Sequence, residues 1–183
     1  ANENTPIQHI ATTSDEPSEW AYEDVLMAWL YNLADEDIFS DFQDEATRED
    51  LARVGVRLYE NLTDDFAKPN SPSPFKDTKD KDVHRAYLLG FIQEYSLGVF
   101  EPYKPAIMEE AITLLYNVIK KCAPEFDYDN VDVKFELKET DFSTEYLYTA
   151  TKYLIAKEIL RVNSMEELAI KESISREELL VLA

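Results

Sequence analysis

Arg48 and Arg176 are the residues of this chain whose setting could do chemistry. Each is second in a Ser/Thr-Arg-Glu-acid-Leu box: Thr47-Arg48-Glu49-Asp50-Leu51 and Ser175-Arg176-Glu177-Glu178-Leu179. If such a box opens a helix, its Arg lies in the first turn and opposes the helix dipole by about 0.3–1 kcal/mol. Two readings account for it. The Arg is paired with neighbouring acids, or it is a cation held beside free helix N–H groups. The second arrangement grips an anionic group such as a carboxylate or phosphate.

Other chemistry is less well supported. Asp127, Asp129 and Asp132 cluster, as do Asp35, Glu36, Asp37 and Asp41. Neither cluster has the sharp Gly turn or the terminal bidentate Glu of a calcium loop. His9 and His84 are isolated, and with one cysteine there is no zinc constellation. Cys122 follows an apolar run and precedes Pro124, so burial at a helix end is its expected fate. The 38 carboxylates contain no pair that the sequence singles out, and no phosphate loop or nucleophile elbow is present. No catalytic residue, metal ligand or cofactor is therefore expected. Asn61-Leu62-Thr63 fits a glycosylation acceptor but reads most simply as the end of a helix.

The elements that would position the boxes form a repeat. Ala106-Ile107-Met108-Glu109-Glu110-Ala111 is a third copy that lacks the Ser/Thr and has Met108 in place of Arg. The copies are 60 and 68 residues apart, which makes the chain one supersecondary unit used three times. Each box follows a leading helix: Val25, Ala28 and Leu33, then Val83, Ala86 and Phe91, then Leu147, Ala150 and Ile155. On that alignment the connections lengthen, from 20 residues (Ala28 to Arg48) to 22 (Ala86 to Met108) to 26 (Ala150 to Arg176).

Ser18 is expected to cap the first helix near Trp20, and Trp29 to be core. Thr47 should cap the next helix with Asp50 in the capping-box position, and Gly55 should mark close packing. The second unit's helices are expected at about 83–92 and 107–121, the third's at about 143–160 and from Ser175 onward. Residues 131–137 alternate apolar and charged, so a short extended arm is expected there. The resulting organisation is a flexible leader (1–17), repeat 1 (18–67), a Pro-rich linker (68–74), repeat 2 (75–124), an irregular connection (125–141) and repeat 3 (142–183). The class is all-α, a pseudo-threefold bundle of helix–connection–helix units.

Composition narrows the partners. Thirty-eight acids against 18 bases give a net charge of −20. Residues 15–50 hold 13 acids and a single base, Arg48. Such a field repels nucleic acid and anionic membrane surfaces. No stretch approaches the roughly 20 apolar residues of a membrane span. The opening Ala1-Asn2-Glu3-Asn4-Thr5-Pro6 reads as a mature N-terminus left by signal cleavage or as a chosen boundary.

The pattern resembles the S-layer homology domain family. Trp20-Ala21 and Thr47-Arg48-Glu49 carry the resemblance in unit one, Phe75-x-Asp77 and Gly98-Val99-Phe100-Glu101-Pro102 in unit two, and Ser175-Arg176-Glu177 in unit three. The resemblance implies a secreted, non-enzymatic module that attaches to the bacterial cell wall by binding an anionic secondary polysaccharide, often pyruvylated. It implies a ligand-binding role for Arg48 and Arg176 in grooves between repeats, with Thr47, Glu49 and Ser175 around them and Trp20 as a groove wall. Met108 should weaken one groove, and units one and three lack the Gly-rich turn. The alternative is a diverged repeat that contacts another surface protein without binding sugar.

Overall fold

The computed structural model describes residues 15–66, 68, 69 and 71–183. The leader to residue 14 lies outside the described residues, as do two positions at the linker, Ala67 and Asn70. The fold is all-α. Unit one has α1 (Tyr22–Leu30), a 3₁₀ turn (Glu36–Ile38) and α2 (Arg48–Thr63). Unit two has α3 (Lys81–Leu89) and α4 (Met108–Cys122). The connection to unit three ends in a 3₁₀ turn (Glu139–Asp141), and unit three has α5 (Glu145–Ala156), α6 (Met165–Leu168) and α7 (Arg176–Leu182).

Three extended strips, each just ahead of a box, meet at the centre. The Ala46 N–H donates to Ile174 O (2.9 Å), Ile174 to Ala106 O (3.0 Å) and Ala106 back to Ala46 O (2.9 Å). This closed ring is nearly solvent-free, with Ala46 and Ala106 at 0% exposure and Ile174 at 1%. Isolated antiparallel bridges between the strips, Glu45 with Ser175, Thr47 with Pro105 and Ile107 with Ser173, satisfy the backbone groups buried there. Around it the pairing repeats. Arg48 and Glu49 donate from their backbone to Lys104 and Pro102, Met108 and Glu109 to Glu172 and Ile170, and Arg176 and Glu177 to Asp44 and Phe42. The first two N–H groups of each box helix are thereby capped by the next unit's connection. The pseudo-threefold repeat is thus a hydrogen-bonded ring.

The boxes also cap themselves. Thr47 Oγ1 accepts from the Asp50 N–H while Asp50 accepts from the Thr47 N–H, and Ser175 and Glu178 do the same. At the degenerate copy only half remains: Glu110 accepts from the Ile107 N–H, and Ile107 has no oxygen to answer. Helices α2 and α4 pack on each other, with α3 on α2, α5 on α4 and α1 on α7. Gly55 permits the central contact, because a Cβ there would lie 2.8 Å from a Leu114 methyl.

Several expectations need correction. Ser18 does not cap α1 with its side chain; the hydroxyl goes to Glu177, and α1 begins at Tyr22 behind a turn. Trp29 is 60% exposed, not core, because α1 turns only Val25 and Ala28 inward. The helix-ending bonds Leu33 N–H to Ala28 O, Phe91 to Ala86 and Ile159 to Leu154 align Leu154, one turn beyond Ala150, with Ala28 and Ala86. From Leu154 to Arg176 is 22 residues, as from Ala86 to Met108, so the third connection is no longer than the second. It does contain an unanticipated short helix, α6. The arm at 131–137 carries Val131, Val133, Phe135 and Leu137 against the core without forming a strand. Cys122 is half-buried at the last residue of α4, and burial pushes its thiol pKa up.

Candidate functional site: the open groove beside Arg48

Two short side chains on α4 leave room for a groove. Relative to the box, Thr113 and Asn117 stand where α2 has Arg53 and Arg57. Thr113 bonds back to its own helix at Glu109 O (2.7 Å), and Asn117 accepts from the Tyr146 hydroxyl. Between them and the second connection lies a groove of about 510 Å³. Its walls come from three units: Arg48 and Leu51 from α2, Phe91 to Tyr95 and Phe100 from the second connection, and Ser143, Thr144, Tyr146 and Leu147 at the start of α5. Tyr146 is held from below by an edge contact with Tyr116 (5.4 Å between centroids). Burial among the tyrosines pushes the Tyr116 pKa up to about 12.

Arg48 reaches this groove from the first turn of α2. Its Nε donates to Phe100 O (2.9 Å), its Nη1 pairs with Glu110, and its guanidinium lies over the Phe100 ring, 4.7 Å from the centroid. The side chain is 11% exposed, and burial lowers its pKa against the pull of Glu101 and Asp77. Asp77 anchors the same turn by accepting from the Phe100 and Glu101 N–H groups (3.0 and 2.7 Å). Glu101 has φ 58°, so without this anchor the turn would be poorly held.

Arg176 makes the equivalent contact in another setting. Its Nη1 donates to Ser40 O (2.9 Å), the position equivalent to Phe100, and lies 3.7 Å from Asp41. The place on α2 equivalent to the open groove is shut. Around Ala34, Asp35, Asp50 and Arg53 there is no room for a water. Arg53 bonds Asp80 (2.8 Å) and Glu49 (2.9 Å), and Arg57 pairs with Asp35. At the third position Met108 makes no such bond, and the carbonyl side of Leu168 has no arginine.

The remaining expected site residues lie elsewhere. Thr47 and Ser175 are occupied as caps. Glu49 accepts from Thr78 Oγ1 (3.2 Å), and burial raises its pKa while Arg53 opposes the rise. Its counterpart Glu177, 4% exposed, accepts from the Ser18 N–H (2.8 Å), the Ser18 hydroxyl (2.7 Å) and Gln43 Nε2 (3.1 Å). The box Glu therefore ties one unit to the leading segment of the next. Trp20, 59% exposed, lines a different hollow with Arg161 and several acids. The structure thus brings Arg48 to the open groove without Arg176, Trp20 or the box hydroxyls. The residues that sequence reading missed are Arg53, Arg57, Thr113, Asn117 and Tyr146. Arg53 and Arg57 share a helix face at i, i+4, and laying the boxes over each other would have exposed the exchange to Thr and Asn.

Among the described residues no three His, Cys, Asp or Glu side chains converge as a metal site, and no helix is long and apolar enough to cross a membrane. No protein-family model matches the sequence. Over 125 aligned residues the chain is 23% identical to an endoglucanase from Bacillus sp. (strain KSM-635). That alignment covers 62% of this chain but 13% of the endoglucanase, so the likeness concerns a small part of that protein.

Proposed function

We propose that the chain is a secreted, non-enzymatic module of the S-layer homology type that holds a protein to the bacterial cell wall. It does so by binding an anionic secondary cell-wall polysaccharide, pyruvylated or otherwise acidic, in the groove beside Arg48. The observation that supports this reading is the pairing of a cavity of about 510 Å³ with a largely buried arginine and exposed tyrosines. Arg48 uses Nε and Nη1 internally, and an incoming carboxylate takes Nη2 or replaces Glu110. Tyr95 and Tyr146 offer faces to the sugar rings. Arg176 serves the fold, through its bond to Ser40 O and its pairing with Asp41.

The partial likeness to an endoglucanase carries no hydrolase activity to this chain. Co-sedimentation with Gram-positive sacculi, before and after hydrofluoric acid strips the secondary polymer, tests the proposal. Binding is expected only before stripping, to be lost in Arg48→Ala and kept in Arg176→Ala. Binding that survives stripping, or none to either preparation across a range of salt, sinks it. The second reading is a repeat that kept the fold and contacts another surface protein. Glu94, Glu109 and Glu110 share the groove with its one arginine, which disfavours a polyanion and favours that reading.

A further inference from the structure

Helix α1 has two apolar faces and buries one. Val25 and Ala28 point into the core. Tyr22, Leu26, Trp29 and Leu30 recur at i, i+4, i+7 and i+8 and form a second stripe beside it. Their exposures are 55%, 45%, 60% and 60%. Four large side chains in one stripe are a patch, not the scattered apolar surface of any soluble protein.

The repeat gives an internal reference. In α3 the position equivalent to Leu26 is His84, only 6% exposed, and that of Trp29 is Tyr87, packed on the Phe75 ring at 5.3 Å. The residue equivalent to Met27 is Arg85, paired with Glu60 in the last turns of α2. In unit two the positions of Leu26 and Trp29 are thus covered, while Leu88, equivalent to Leu30, is 45% exposed; in unit one all of them are exposed among the described residues.

The surroundings select the occupant. Glu19 and Glu23 line a hollow beside Tyr22 with Glu16, Asp24 and one base, Arg161, which is paired with Asp24, so acids outnumber bases at this end of the stripe. A second copy would bring two such fields together and is repelled; an anionic membrane is repelled likewise. We infer that this face docks an amphipathic helix of a partner protein, its apolar stripe flanked by lysine or arginine. Tyr22, Leu26, Trp29 and Leu30 bury the apolar side and Glu19 and Glu23 receive the cations. The inference supplies the second functional reading with a partner, and it stands apart from sugar binding.

Trp20 and Trp29 are the two tryptophans of the chain, and both lie on or beside this face, so their emission reports occupancy. The probe is a helical peptide of about 14 residues with a Leu stripe and Lys flanks, long enough to be partly helical. It should shift tryptophan emission to the blue. Leu26→Ser with Leu30→Ser should weaken binding by about tenfold or more, since two apolar contacts are lost. Glu19→Gln with Glu23→Gln should weaken it mainly at low salt. The Ser double variant alters exposed positions, and an unchanged CD melt certifies its fold. Equal binding by the Ser variant would show attraction by charge alone and overturn the inference. So would equal binding of a Leu/Glu peptide, partition into zwitterionic vesicles with the same emission shift, or sedimentation of the protein as a dimer. None of these readouts uses wall polymer, so failure here leaves the groove proposal standing and the reverse holds too.

Discussion

The groove along α4 beside Arg48 and its counterpart along α2 are built on the same backbone pattern, yet one holds about 510 Å³ and the other has no room for a water. Both have a box arginine bonded to the carbonyl before a left-handed residue, Glu101 in one and Asp41 in the other. The difference sits one and two turns further along the box helix. Arg53 and Arg57 bridge Asp35 and Asp80 across the closed groove. Thr113 and Asn117 are too short to bridge the open one, Gln93 stands where Asp35 would be, and the N-cap of the facing helix is Thr144 where the closed side has Asp80. A pseudo-symmetric scaffold has room for a ligand where bridging side chains are lost.

Four changes test that contrast. The largest effect is expected from Thr113→Arg with Asn117→Arg, which fills the open groove and should abolish sedimentation with sacculi while the protein melts as before. Undiminished sedimentation would move the site elsewhere. Next is Arg53→Ala with Arg57→Ala, which leaves Asp35 and Asp80 facing each other unpaired. Urea unfolding should show a loss of about 2–4 kcal/mol, because the pairs are only partly exposed. A loss below about 1 kcal/mol would mean that the network is no more than surface charge.

Met108→Arg restores the missing box arginine. Its guanidinium can donate to the Leu168 carbonyl, and a gain of about 0.5–1.5 kcal/mol is expected from that bond. A destabilised variant would show that the third position no longer has the geometry of the other two.

The smallest effect concerns Asp77. Burial works against its ionisation, but the Glu101 and Phe100 N–H groups hold its pKa below the ordinary 3.8. A carboxyl depressed in the folded state stabilises above its unfolded pKa and loses that contribution as pH falls through the folded value. Asp77→Asn should therefore be less stable than the parent at neutral pH, and the gap should narrow as pH falls below about 4. A gap independent of pH would assign the effect to geometry alone.

The repeat was legible because each box performs a local task. Thr47 and Asp50, and Ser175 and Glu178, cap their helices within four residues, so the signal survives in a linear string. Gly55 was legible for a similar reason: a glycine inside a strong helix needs a close neighbour, here Leu114. The third leading helix was misaligned by one turn because Ala150 and Leu154 both lie on its buried face. Only the bond from the Ile159 N–H to Leu154 O fixes the phase. Trp29 was misjudged because aromatic character does not say which side of α1 meets α7.

By itself, then, the sequence determined the all-α class, the three box copies, the starts of the helices they open and the acidity, since caps, apolar period and charge act over a few residues. The tertiary structure alone decided that the extended strips close into a ring, that Glu177 and Glu49 tie neighbouring units, and that one of two matching arginines borders open space. Those outcomes depend on bonds spanning up to 159 residues, as from Ser18 to Glu177, whose partners are adjacent only after the ring has closed. Whether an arginine faces a ligand or a carboxylate of its own chain is set by what stands across the groove, and no spacing within one helix encodes that.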